Sequence, residues 1–352
     1  MYYIPKKIFF LGCILLLLLM FFGCNTEANT IPEENASDNY NNYNNDENKE
    51  EEKPAFPPSP YTGLPQEEIL SRPFAVLIDN HGNARPQSGL QEAPLVYEAI
   101  AEGEITRLMA IFAHPVSGKL GPIRSARPYF AHLARENDAI LIHCGSSREA
   151  EKILAQNGYD HIDERPYPKY FQRDHKRYAP HNLYTDLESL LQAAEDFNIY
   201  HEISPQPPFT FYEKPLEGLQ GDVREVQLPF SSYNYVSYRW DESMNAYLRF
   251  TRDQPHKDAN TDQQIAVKNI LVQYVPFHYI SKVHRQYDLV GEGSGLYVSN
   301  GKAQKIRWKK ESYGQRTKYF SEDGSPLVLS PGNTWIHIIS PKKEAVLIKE
   351  TE

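Results

Sequence analysis

From residue 72 onward the chain alternates short apolar runs with polar, turn-rich punctuation, and the period of the runs changes midway. Phe74-Ala75-Val76-Leu77-Ile78 is a continuous apolar stretch ended by Asp79-Asn80-His81-Gly82. Such a run suits a strand buried on both faces, inside a sheet covered by helices. Segments 95–99, 107–112 and 139–143 predict further strands. Segments 129–136, 147–157 and 187–197 predict helices. Turn-prone Gly121-Pro122 precedes the first, Gly158 is the stop of the second, and Asp186 stands near the N-cap position of the third. Alternating strands and helices predict an α/β N-terminal domain with a mixed sheet, without the regularity of a doubly wound one.

After Pro205-Gln206-Pro207-Pro208 the pattern turns to short strands with alternating side chains. They fall at 222–228, 233–240, 246–250, 268–275, 295–298, 305–309 and 334–339, with Asn300-Gly301 and Asp323-Gly324 as turns. A mainly antiparallel β C-terminal domain follows. The expected boundaries are 59–204 for the α/β domain and 209–352 for the β domain.

The first residues address the chain rather than fold it. Lys6 and Lys7 precede an apolar run over 8–22 and then Gly23-Cys24, the layout of a signal peptide covering 1–23. Met20-Phe21-Phe22-Gly23-Cys24 resembles the lipobox of bacterial lipoproteins, which implies acylation of Cys24, as by palmitate. Phe21 departs from that pattern, where Leu is usual, and Phe22 is bulky. An uncleaved anchor is the alternative, and it too leaves the rest of the chain outside the cytoplasm. Residues 24–58 are rich in Asn, Asp and Glu and read as an acidic disordered tether, stiffened at its exit by Pro54, Pro57 and Pro58, with Pro60 just beyond. Roughly thirty flexible residues span on the order of 30 Å. The expected location is the extracytoplasmic face of the cell membrane, with the membrane itself as first partner through the lipid.

Charge and cysteine content narrow the remainder. The formal net charge of −9 falls further when Lys6 and Lys7 leave with the leader. That balance argues against nonspecific nucleic-acid binding, which needs a basic face. Of Cys13, Cys24 and Cys144, only Cys144 remains as a thiol in the lipidated form, so no internal disulfide forms and no Cys-rich metal site exists. The 24 Tyr, 16 Phe and 3 Trp supply apolar area for a core.

Several strings carry a family resemblance: Ile78-Asp79-Asn80, 85–90, Tyr97-Glu98, the octet Gly121-Pro122-Ile123-Arg124-Ser125-Ala126-Arg127-Pro128, and Ala179-Pro180-His181-Asn182-Leu183-Tyr184. In the second half, 288–293, Trp308-Lys309-Lys310 and 331–336 join them. Together they resemble the YerB-like lipoproteins, bacterial envelope proteins with two consecutive domains of unknown function, over roughly residues 60–340. The resemblance implies an exported lipoprotein with this domain layout and carries over no catalytic role.

Three clusters offer chemistry. Asp79-Asn80-His81 follows the first buried strand, where α/β proteins place ligands, and Asp79 suits a base; the same residues also suit a plain turn toward Gly82. Arg124, Ser125 and Arg127 precede a helix and suit a carboxylate or phosphate, with Arg107 and Arg173 joining if the fold brings them near. The alternative is internal pairing of Arg124 or Arg127 with Asp79, Glu98 or Glu102. Ser125 lacks the surroundings of a nucleophile. Arg173, Asp174, His175, Arg177, His181 and Asn182 form the third cluster, in which Asp174 is positioned to orient His181 as a base. Cys144 reads as an inert small hydrophobe before it reads as a nucleophile. A metal set of Asp79, His143, His175 and His181 matches no ligand spacing, and no cofactor is expected. Trp308, Trp335 and Tyr297 read as core.

These observations lead to a binding or regulatory module in the cell envelope. It would have an arginine-lined pocket for an anionic ligand such as a wall fragment, or would engage an envelope protein. The rival is an envelope hydrolase or transferase using Asp79 and His181. A purely structural interaction protein is the third reading.

Overall fold

Phe74–Asp79 (β1) is a six-residue strand with every position buried. A computed structural model describes residues 55–201, 207–214, 218, 220–231 and 234–349, and the signal peptide, Cys24 and the tether up to residue 54 lie outside them. β1 pairs antiparallel with Ile105–Phe112 (β3) and parallel with Ile140–His143 (β4). β4 pairs parallel with His161–Asp163 (β5), and β3 pairs antiparallel with Leu95–Glu102 (β2). The unbroken hydrophobicity of β1 follows: its alternating side chains enter two different cores.

The sheet does not stop at the end of the N-terminal half. The strand Thr334–Ile339 lies parallel to β2, pairing Leu95 with Thr334 and Ala99 with Ile338, and Asn269–Tyr274 lies parallel on its other side. Gly291–Ser299, Lys302–Lys310 and Lys318–Ser321 extend the sheet to ten strands by antiparallel pairing. The described residues, from 55 onward, accordingly form one compact unit. The mixed sheet with few helices in the first half and mostly antiparallel strands in the second match the expected fold class.

The two faces of this sheet carry two cores. One contains Ala75 and Leu77 with Tyr129, Phe130 and Leu133 of α1 (Pro128–Glu136) and Ala150 and Leu154 of α2 (Arg148–Leu154). The other contains Phe74, Val76 and Ile78 with Leu187 and Leu190 of α3 (Leu187–Asp196). Val226, Leu228, Val236 and Tyr238 join this second core from a six-stranded antiparallel sheet, built around Val223–Pro229, Tyr235–Asp241 and Ala246–Thr251. Trp308, Trp335 and Tyr297 are buried, as core residues should be.

Local signals set the element ends. Ser147 caps α2 by accepting the Ala150 amide, and Asp186 caps α3 by accepting that of Ser189. α2 ends at Leu154, earlier than the expected 157. Asn300 and Gly301 both take positive φ, 48° and 74°, which gives the tight reversal between Ser299 and Lys302. Three-residue β5 and the edge strand Val346–Lys349 carry too little periodicity to be seen in the sequence.

Candidate functional site

β1, β4 and β5 run parallel, and their C-terminal ends deliver Asp79, Cys144 and Glu164 to one side of the sheet. That is where open α/β sheets hold ligands. Here the crevice is partly filled from within. Residues 121–126 thread between the ends of β1 and β4: Asp79 N–H donates to the Pro122 carbonyl and Arg124 N–H to that of Leu77. On the other edge Cys144 N–H donates to the Arg124 carbonyl and Ala126 N–H to that of Gly145. Gly121 is required at the entry. Its φ is +143°, and a Cβ there would stand 2.8 Å from the Leu183 carbonyl oxygen.

Asp79 is the hub. Its Oδ1 accepts the His81 amide at 2.9 Å, and its Oδ2 lies 2.6 Å from His181 Nδ1 and 3.3 Å from Arg124 Nε. Held by the carboxylate, the His181 ring presents Nδ1–H inward and leaves Nε2 as its second nitrogen. The His81 ring stacks on it with centroids 4.7 Å apart. His81 also lines a cavity of about 190 Å³ with Asn80, Arg85 and Arg252. The loop carrying His181 is fixed from below: Arg177 donates to the carbonyls of Ala84 and Pro86, and Asn182 Nδ2 donates to those of Arg177 and Asp174.

Beside this hub runs a second chain of contacts. The Cys144 thiol donates to Glu164 Oε2 at 3.2 Å, Glu164 Oε1 accepts from Arg173 Nη2 at 3.1 Å, and Arg173 Nη1 donates to Asn182 Oδ1. Burial, and then the neighbouring Glu164 carboxylate, push the thiol up to about 11. A thiol held there is not an activated nucleophile.

Several expectations need correction. Asp174 does not orient His181; it accepts the Lys176 amide and faces Lys119, and Asp79 takes the imidazole. The paired fork of Arg124 and Arg127 is not formed. Arg127 and Arg107 both close onto Glu102, and they also donate to the carbonyls of Ala126 and Ser125. Their side chains are 7% and 4% exposed, whereas that of Arg124 is 23% exposed. Asn80 faces the interior, donating to Glu98 and Thr106 and accepting from Arg85 and Gln87. Asn182 is buried as a loop brace, and Ser125 contributes its carbonyl. The internal-pairing alternative therefore holds for Arg127 with Glu102 and for Arg124 with Asp79.

Glu98, the third acid considered there, has a partner that the sequence did not suggest. Arg249 Nη2 donates to its Oε2 at 2.8 Å with both side chains wholly buried. Arg249 also donates to His256 Nδ1 and to the Tyr238 hydroxyl, and stacks 4.4 Å from the Trp335 ring. His256 Nε2 donates to Gln87 Oε1, and Gln87 Nε2 donates to the Asp79 carbonyl, so this network reaches the base of the hub. Burial alone would raise the Glu98 carboxyl; Arg249, then His337, outweigh it and hold the group far below the usual carboxylate range. Nothing in local sequence pairs residues 98 and 249.

The chain matches the profile of the protein of unknown function (DUF3048) N-terminal domain over residues 61–200 and that of the DUF3048 C-terminal domain over residues 226–336. It is 33% identical over 303 residues to "Putative lipoprotein YerB" of Bacillus subtilis (strain 168), spanning 84% of this chain and 89% of that protein. The crystal structure of the YerB protein from Bacillus subtilis superposes with a TM-score of 0.74 at 32% identity, covering 82% of this chain and 99% of that one. Two matched domains in order, and similarity along nearly the whole length of a relative, establish that the chain belongs to the DUF3048 family of YerB-like proteins.

Proposed function

We propose that this protein is a lipid-anchored, extracytoplasmic binding or regulatory module of the cell envelope, and that it recognises an anionic ligand such as a wall fragment beside Asp79, His181 and Arg124. The location is supported by the leader ending in Gly23-Cys24 and by a relative named as a lipoprotein. One observation carries the site. Arg124 is the guanidinium among Arg107, Arg124 and Arg127 that keeps an open side, and it shares one carboxylate oxygen with the His181 ring. A cation so placed offers a charge-assisted hydrogen bond to an incoming oxyanion. An enzyme reading is favoured by the Asp79–His181 contact at 2.6 Å, which orients an imidazole as in general-base sites.

The test separates Arg124 from Arg127. Purified full-length protein is sedimented with isolated cell-wall fragments. Arg124→Ala should lower the melting temperature less than Arg127→Ala, because Asp79 keeps the His81 amide and the His181 ring, and should lose roughly tenfold in affinity, the worth of one charge-assisted contact. Arg127→Ala should lower the melting temperature, because it removes one of the two arginines closed onto Glu102 together with its bond to the Ala126 carbonyl. Wild-type protein that ignores the fragments, or Arg124→Ala that binds like wild type, removes this reading. Turnover of a wall ester or amide that vanishes in His181→Gln would replace it with the enzyme.

A further inference from the structure

Among the described residues, a second cationic position lacks the carboxylate and carbonyl partners that close Arg107 and Arg127. Phe277–Tyr279 and Arg285–Tyr287 form a short antiparallel ribbon in which Tyr279 pairs across from Arg285. Arg285 is only 8% exposed. Its guanidinium lies 4.9 Å from the Phe277 ring centroid and 5.3 Å from that of Tyr279, and Nη2 donates to the Tyr279 hydroxyl at 3.1 Å. Nε and Nη1 are covered and have no acceptor. Among the described residues no carboxylate forms an ion pair with it. Compare Arg72, which donates to two carbonyls and pairs with Asp160. Cation–π contact explains why the guanidinium rests among rings, but it supplies no acceptor to the two covered nitrogens.

Arg285 lines a cavity of about 270 Å³ where the two sequence halves meet. Ile100, Phe230, Tyr287 and Ile338 give it apolar walls, and Lys342 and Lys343 add two more cations against the single acid Glu104. Neither lysine forms an ion pair among the described residues. Buried donors without acceptors, apolar walls and surplus positive charge describe a receptor for an oxyanion on a small apolar body. The volume suits a compact ligand rather than a polymer. The charge surplus favours a phosphomonoester dianion over a carboxylate.

We propose that the cavity beneath Tyr279 binds a compact phosphomonoester with an aromatic or aliphatic substituent, its oxygens taken by Arg285 and attracted by Lys342 and Lys343. Tyr279, 59% exposed, is the cover. An arriving phosphate replaces its hydroxyl as acceptor for Nη2 and supplies acceptors to Nε and Nη1. The substituent packs between Phe230 and Tyr287. This assignment stands independently of the Asp79 hub.

The probe is phenyl phosphate, titrated calorimetrically into the full-length protein in detergent, with benzoate and inorganic phosphate as comparisons. Saturable binding is expected, tighter for phenyl phosphate than for either comparison. Arg285→Gln should weaken it by about tenfold or more. The double variant Lys342→Gln, Lys343→Gln alters two exposed side chains, so it keeps the fold; it should weaken binding by about threefold and flatten its salt dependence. Absence of saturable binding to wild type overturns the proposal, as does unchanged affinity in folded Arg285→Gln. Should that variant fail to fold, unchanged affinity in the lysine double variant overturns it. Tighter binding of benzoate overturns the assignment to phosphate.

Discussion

Replacing Arg249 with Met tests whether the two halves are joined through the buried Glu98 network. Arg249 Nη2 is 2.8 Å from Glu98 Oε2, both side chains are wholly buried, and 151 residues separate them in sequence. Methionine fills similar space but leaves Glu98 without its cation. Breaking a buried pair from one side costs about 3–5 kcal/mol. The pH dependence identifies the cause. With Arg249 gone, Glu98 and the His337 ring 3.2 Å away should hold one proton that they lack in the wild type. The unfolded chains of variant and wild type titrate alike. The folded variant thus binds one proton more, and its deficit grows as pH rises, by about 1.4 kcal/mol per pH unit. Between pH 5.5 and 7 that amounts to about 2 kcal/mol. In the wild type Glu98 has a lowered value, so its contribution is complete above the unfolded carboxylate range and constant across this window. Urea denaturation followed by tryptophan fluorescence at three pH values measures the difference. Glu98→Gln, Arg249→Met should lose the pH slope, because Gln cannot take the proton. A deficit of Arg249→Met below about 1 kcal/mol, or one that does not change with pH, would refute the reasoning.

Two further outcomes follow from other buried groups. The Cys144 thiol, raised to about 11, should react with iodoacetamide at pH 8 on the order of a hundredfold more slowly than a free cysteine, and Glu164→Gln should speed it. A rate profile with its midpoint near 8.5 would contradict the raised value. His132 and His143 are held at about 4, chiefly by burial. Their values are lowered in the folded state, so the unfolded chain takes up protons first as pH falls below about 6.5. Each should withdraw on the order of 3 kcal/mol between pH 6.5 and 4. A urea midpoint that stays level from pH 6.5 to 5 would show that these rings are open to protons.

Much of the secondary structure was legible because its causes are local. The unbroken apolar run of β1 announced a strand with two buried faces, and both faces are buried. Ser147 and Asp186 marked helix starts through side-chain oxygens that accept amides in the first turn. Asn300-Gly301 marked a reversal because both residues tolerate positive φ. The site was legible only in part. Asp79 stood out by its place after β1, and His181 by its chemistry, but their pairing bridges 102 residues. Arg107, Arg124 and Arg127 look alike in the sequence, yet two close on Glu102 and one on Asp79.

The sequence by itself determined most element types, the change of pattern between its two halves and the chemistry of the available side chains, since period, caps and turns act over a few residues. Only the tertiary structure decided that Thr334–Ile339 lies beside β2, that 121–126 fills the crevice after β1, and which acid each arginine meets. Strand order and ion pairing depend on burial, and burial belongs to the folded whole rather than to any local stretch.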